Sequence, residues 1–241
     1  MPRRAVHVMG SEPAITVRIA ALAWLAAWVG GNLIASLAVA ATGQTAGEVD
    51  TPVWVTLVGS LALWVPMLAV LLEVSRRYGT GLVTEDYGLR FAPVDLIGLP
   101  VGLLSQLVLL KLVYWPLESL WPSTFSTPRV EESARTLYDS AQGGWLAVLV
   151  LIVVVGAPMV EELLYRGLLQ GAFMRQVNEV VSVVAVAAWF ALIHFRPVEY
   201  PGLFVFGLVL GTCALVTRRL GMSVLAHVAF NATGLVWVAT R

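Results

Sequence analysis

Apolar stretches long enough to cross a membrane recur along the whole chain, separated by short polar segments. A membrane-spanning helix needs about 20 consecutive, mostly apolar residues, and the stretches are close to this length. The pattern therefore predicts an all-α, polytopic membrane protein with about seven transmembrane helices. The predicted spans cover residues 19–41, 53–72, 94–113, 145–173, 180–196, 202–217 and 220–240.

The composition agrees with a membrane protein. Hydrophobic residues make up 59% of the 241 residues and charged residues only 12%, with a mean hydropathy of +0.83, whereas soluble domains have about 25% charged residues. The scarcity of long polar segments predicts a single integral membrane domain over residues 1–241. A formal net charge of zero gives no indication of nucleic-acid binding. The single Cys213 excludes an intramolecular disulfide.

The basic residues between the predicted spans predict the orientation of the protein in the membrane. If the N-terminus is cytoplasmic, the inner segments carry nine basic residues, including Arg3 and Arg4, and the outer segments carry five, which favours N-in and C-out. Residues 38–40 resemble a signal-peptidase site, but the apolar run is long for a signal peptide, so we expect an uncleaved first helix. The longest gap, residues 114–144, is predicted to be an extramembrane loop with an interfacial portion.

Three charged residues, Glu161, Glu162 and Arg166, interrupt the fourth span. A charged side chain at membrane depth costs about 2.5–3.5 kcal/mol, so such residues pair with one another or line a polar site. Glu162 and Arg166 are four positions apart on one helix face and are predicted to pair. Glu161 is rotated by about 100° and is left available. Pro158 is expected to kink this helix and to leave the carbonyl of Val154 without its partner.

Polar residues also occur in the fifth and last spans. His194 and Glu161 are equally far from the turn predicted near residue 177, so the two can face one another at one depth. His227 and Asn231 are four positions apart and share a helix face. Alternatively, His194 is a packing residue, and His227 and Asn231 form hydrogen bonds that hold neighbouring helices together.

Together these side chains suit hydrolysis of a peptide bond without a covalent enzyme intermediate. A Glu–His pair can activate water, and a His–Asn face can stabilise the oxyanion that forms when water attacks an amide carbonyl. Two histidines and a glutamate also form a common catalytic zinc set, but the chain contains no His-Glu-x-x-His sequence. No cofactor is therefore expected, with zinc as the alternative.

The ordered motifs resemble those of the CAAX protease and bacteriocin-processing (CPBP) family, also called the abortive-infection family, whose members are intramembrane glutamic endopeptidases. The Glu-Glu-x-x-x-Arg, Phe-x-x-x-His and His-x-x-x-Asn motifs match residues 161–166, 190–194 and 227–231, and a glycine-containing element resembles residues 204–211. The motifs cover about residues 145–235, which the resemblance marks as the catalytic core.

The resemblance implies a role for each matched residue. Glu161 with His194 would activate the water, and His227 with Asn231 would bind the oxyanion. The Glu162–Arg166 pair would support the site. The implied protein is a CAAX prenyl endopeptidase-like enzyme in a bacterial plasma membrane, which acts on a peptide or membrane-protein substrate with or without a lipid anchor. A non-catalytic adaptor or bacteriocin-immunity protein is the main alternative, and a small proton-relaying transporter is a third.

Overall fold

The polypeptide folds into helices joined by short connections. In the computed structural model, residues 15–44, 51–141 and 143–241 are described, and these ranges contain no strand. Arg3 and Arg4, which contribute to the predicted orientation, lie outside the described residues. Two short helices, Val83–Asp86 and Pro122–Phe125, lie in connections. The longer helices are α1 (Val17–Ala40), α2 (Val53–Tyr78), α3 (Pro93–Leu120), α4 (Thr127–Asp139), α5 (Trp145–Phe173), α6 (Glu179–Leu192), α7 (Tyr200–Thr217) and α8 (Gly221–Ala239).

Six of these helices, α1, α2, α3, α5, α7 and α8, are long and apolar enough to cross a membrane. The predicted all-α, polytopic membrane fold is therefore confirmed. The seventh predicted span corresponds to α6, which is apolar but has only 14 residues. At 1.5 Å per residue it is about 21 Å long, shorter than the hydrocarbon core of about 30 Å.

The predicted fifth span, residues 180–196, is too long at its C-terminal end. The helix stops at Leu192, and Phe195 has a left-handed backbone with φ of 52°. Pro197 follows and disfavours a helical conformation at Arg196. The apolar pattern runs past these residues, but the backbone cannot continue the helix through them.

The predicted loop over residues 114–144 is mostly helical. Helix α3 continues to Leu120, and α4 occupies residues 127–139. Pro128 lies in the first turn of α4, where the missing N–H does not interrupt the helix. Leu137 and Tyr138 on its apolar side pack against a cluster formed by α5 and α8. The helix therefore forms in spite of three prolines in the segment.

Helix α5 lies at the centre of the main apolar core. Its residues Leu163, Leu164, Leu168 and Leu169 are almost completely buried. The ring of Tyr165 contacts Trp24 of α1 and Phe190 of α6, with centroid distances of 6.2 and 5.2 Å. Neighbouring helices thus surround the segment that carries the three charged residues.

Candidate active site

The two glutamates of α5 lie between two π-helical segments, residues 151–156 and 163–170. Such wide turns are rare and occur frequently at functional sites. The side chain of Glu162 is completely buried, whereas that of Glu161 is 30% exposed. The adjacent carboxylates therefore occupy different environments, as their rotation about the helix axis requires.

Glu162 and Arg166 form a buried ion pair, as their four-residue spacing predicts. Arg166 Nη1 donates to Glu162 Oε1 at 3.0 Å, and both side chains have no exposed surface. Arg166 Nη2 also donates to the carbonyl of Gly207 on α7 at 3.2 Å. The guanidinium lies over the ring of Phe190, 4.7 Å from its centroid. These contacts offset part of the cost of removing the charges from water.

His227 lies between the two glutamates. Its Nδ1 is 2.9 Å from Glu162 Oε1, and its Nε2 is 3.8 Å from Glu161 Oε2. Because an ionised carboxylate only accepts hydrogen bonds, Nδ1 carries the hydrogen and Nε2 faces Glu161. The Nε2–Oε2 distance is longer than a direct hydrogen bond. Motif spacing did not predict that His227 contacts both glutamates.

His194 follows the end of α6. Its Nδ1 lies 2.7 Å from the carbonyl oxygen of Phe190, which can only accept, so Nδ1 is the donor and Nε2 keeps its lone pair. Among the described residues, His194 forms no hydrogen bond or ion pair with Glu161. The predicted face-to-face arrangement is therefore not a direct contact.

The ring of Phe190 lies near both histidines. Its centroid is 4.9 Å from that of His194 and 6.0 Å from that of His227. The ring of Phe206 also packs against His227, with 5.4 Å between the ring centroids. The sequence identified Phe190 only as the first residue of the Phe-x-x-x-His motif. It did not predict that the ring lies beside Arg166 and both histidines.

Asn231 binds a main-chain carbonyl of α5. Its Nδ2 donates to Val153 O at 2.8 Å. In the preceding π-helical step, Ala157 N–H donates to Ile152 O, five residues back. The next bond in this register would join Val153 O to Pro158, which has no N–H. In this register the carbonyl opposite Pro158 is that of Val153, one residue before the Val154 carbonyl expected for an α-helix, because the π-helical segment shifts the register by one residue.

Metal-ligating side chains are not clustered in this site. Within residues 15–44, 51–141 and 143–241, no three His, Cys, Asp or Glu side chains are grouped so that they could hold a metal ion. Two side chains of the site, Glu161 and His227, still face one another across 3.8 Å.

Comparison with known families supports the motif assignment. Residues 143–233 match the family model of the type II CAAX prenyl endopeptidases, Rce1-like. This match supports the resemblance to the CAAX protease-like family that the motifs indicate. No curated protein and no solved structure gives a match to the chain. The matched region contains all the site residues described in this subsection, and the match indicates a CAAX protease-like peptidase that acts on a peptide substrate in a membrane. Helices α1 to α4 precede the matched region.

Proposed function

We propose that the protein is an intramembrane glutamic endopeptidase that hydrolyses a peptide bond with a water molecule activated by Glu161 and His194. The observation that carries this proposal is the different environment of the two adjacent glutamates. Glu162 is buried and bonded to Arg166 and His227, while Glu161 is partly exposed and has no hydrogen bond among the described residues. A partly exposed carboxylate next to an oriented histidine is suited to proton transfer.

In the proposed first step, Glu161 accepts a proton from water while the water oxygen attacks the carbonyl carbon of the substrate. His194 Nε2 has the lone pair needed to accept a hydrogen bond from the same water, because its Nδ1 donates to Phe190 O. The product of this step is a tetrahedral intermediate. When it collapses, the proton on Glu161 passes to the leaving amine, and no covalent enzyme intermediate forms.

In the same proposal, His227 and Asn231 stabilise the oxyanion. Glu162 accepts from His227 Nδ1 at 2.9 Å and so fixes the direction in which Nε2 points. A protonated His227 has an Nε2–H to donate to the oxyanion. Asn231 uses one amide hydrogen for Val153 O and retains a second. Preorganised donors of this kind typically contribute about 10²–10³ in rate.

The proposed substrate is a peptide or membrane-protein segment that reaches Glu161 from the bilayer or its surface. The proposed orientation places the N-terminus in the cytoplasm of a bacterial cell. The proposed mechanism uses no metal ion.

The experiment compares membrane-derived peptides in cells that produce the wild-type protein or the Glu161→Gln variant at equal levels. We expect at least one fragment that accumulates only with the wild type. Asp139→Asn serves as the matched control, because Asp139 is an exposed acid outside the site. The purified proteins in liposomes are then assayed on a synthetic peptide that spans the identified cleavage position, with and without EDTA.

Each result has a defined meaning. Cleavage by the wild type and by Asp139→Asn, with loss of at least about 100-fold in Glu161→Gln, supports the proposal. Equal cleavage by Glu161→Gln contradicts it. A cellular phenotype that Glu161→Gln retains in full, without any cleavage, supports the adaptor function instead. Inhibition by EDTA that zinc reverses contradicts the metal-free mechanism.

A further inference from the structure

In the turn after α6, the N–H groups of His194 and Phe195 each donate at 3.3 Å to the carbonyls of Ala191 and Leu192, and this turn carries the ring of His194. Helix α6 ends at Leu192, two residues before His194, and the next residue, Phe195, has a left-handed backbone. The bond from His194 Nδ1 to Phe190 O orients the ring relative to α6. From Arg196 onward, the residues also have partners on helices other than α6.

Contacts from α4 and α3 reach the residues that follow His194, and in the Arg196–Glu132 pair the side chains are 38% and 66% exposed. Arg196 forms ion pairs of 3.0 Å with both Glu132 of α4 and Glu199. Ser133, the next residue of α4, donates to Glu199 at 2.8 Å. On α3, the Tyr114 hydroxyl donates to Val198 O at 2.9 Å. The residues after His194 are thus tied to two helices that precede the Rce1-like region.

The same helix α4 is also attached to α8, which carries His227. Trp237 Nε1 donates to Glu131 Oε1 at 2.8 Å. The charged groups of Lys111 and Arg241 lie 4.9 and 3.7 Å from the centroid of the Trp237 ring. Leu137 of α4 packs against the cluster formed by α5 and α8.

Two adjacent residues of α4 therefore bind two different parts of the structure. Glu131 holds the end of α8, and Glu132 holds the segment that follows His194. Helix α4 thus contacts the elements that carry both candidate histidines, and we expect a displacement of α4 to change their separation. An error of about 1 Å in the placement of a reacting group can cost about 100-fold in rate.

We propose that α4 is a strap that positions His194 relative to His227, with Glu132 and Arg196 as positioning residues. This inference rests on the proposed function. Neither residue touches the reacting atoms, so each acts through the placement of His194. The strap lies outside residues 143–233, so residues that precede the Rce1-like region contribute to the geometry of the catalytic region.

The test uses Glu132→Gln, Arg196→Gln and the double variant in the full-length protein in liposomes. Asp139→Asn is the matched control, since it removes one negative charge from the same helix at an exposed position. Two quantities are measured: kcat and KM on the identified peptide, and the backbone hydrogen exchange of residues 193–199.

We expect Glu132→Gln to lower kcat about 3- to 10-fold with KM unchanged, because a modest displacement of His194 affects the chemical step and not substrate binding. In the Arg196→Gln background, Glu132→Gln should have no further effect, since its partner is already absent. Exchange of residues 193–199 should rise in Glu132→Gln and stay at the wild-type level in Asp139→Asn.

A Glu132→Gln variant with the kcat and the hydrogen exchange of the wild type would contradict the proposed role of α4. Additive effects of Glu132→Gln and Arg196→Gln on kcat would also contradict it. Loss of folded protein without a change in kcat per folded molecule would show a stabilising role only and would also overturn it. The exchange measurement needs no activity. A wild-type protein that cleaves nothing therefore refutes the proposed function, while the exchange data still decide whether α4 holds the segment.

Discussion

Asn231 Nδ2 donates a 2.8 Å hydrogen bond to the carbonyl of Val153, 78 residues away in the chain. The carbonyl needs this donor because the local register of α5 directs it to Pro158, which has no N–H. The side chain thus replaces a missing main-chain bond and joins α8 to α5. This contact gives Asn231 a structural role in addition to its proposed role at the oxyanion.

We expect Asn231→Ala to lower the free energy of unfolding by about 1–3 kcal/mol, because it leaves a main-chain carbonyl in the membrane without a donor. In a Pro158→Ala background, the restored N–H can bond to Val153, so the same substitution should cost substantially less. Unfolding of the four proteins in detergent micelles measures this coupling. Additive costs would contradict the proposed replacement.

Removal of Arg166 should destabilise the protein strongly. Arg166→Met leaves the carboxylate of Glu162 buried with only His227 as partner, and the loss of one member of a buried pair costs about 3–5 kcal/mol. The control is Arg77→Ala, which removes an i, i+4 pair with Glu73 whose side chains are 68% and 47% exposed. Exposed pairs contribute about 0–1 kcal/mol. Equal unfolding free energies for the two variants would contradict this prediction.

Gly211 allows α7 to approach the segment that carries Arg166. A Cβ at this position would lie 2.9 Å from Gln170 Oε1 and 3.0 Å from Val183 Cγ1. We expect Gly211→Ala to cost about 1–3 kcal/mol because it overpacks this contact. Gly30→Ala is the matched control, since a Cβ there meets nothing within 4 Å and should stabilise α1 by up to about 1 kcal/mol. Thermal unfolding of both variants measures the difference.

The connection between α2 and α3 should lose stability in acid. Burial raises the pKa of Asp86, but hydrogen bonds from Ser75 and the Thr80 backbone outweigh this effect and hold the pKa below its usual value of 3.8. A lowered pKa in the folded state gives stability that is present above the usual value and is lost as the pH falls through the folded-state pKa. Asp86→Asn should remove this dependence.

Thermal unfolding of the wild type and Asp86→Asn between pH 7 and about pH 3 checks the sign of this effect. The difference in stability should be largest at neutral pH and should shrink below about pH 4. A difference that grows with acidification would contradict the assigned direction of the pKa shift. The exposed Glu85, changed to Gln, is the control in the same short helix.

Local patterns in the sequence determined the fold class, the approximate spans and the pairing of Glu162 with Arg166. These properties follow from the length of apolar runs and from the fixed rotation per residue of a helix, which are local. The match of the motifs to a peptidase family also required only their order and spacing. The separate environments of Glu161 and Glu162 follow from the same rotation.

Only the tertiary structure decided which distant side chains meet. His227 lies between Glu161 and Glu162, 65 residues from its hydrogen-bond partner, and Arg196 reaches Glu132 on a helix that was predicted to be a loop. Helix packing fixes such contacts, and spacing along one helix carries no information about them. The π-helical turns of α5 also shift the register by a residue, so that Asn231 binds Val153 and not Val154. A turn of this kind depends on the packing around it, which a periodic sequence pattern does not contain.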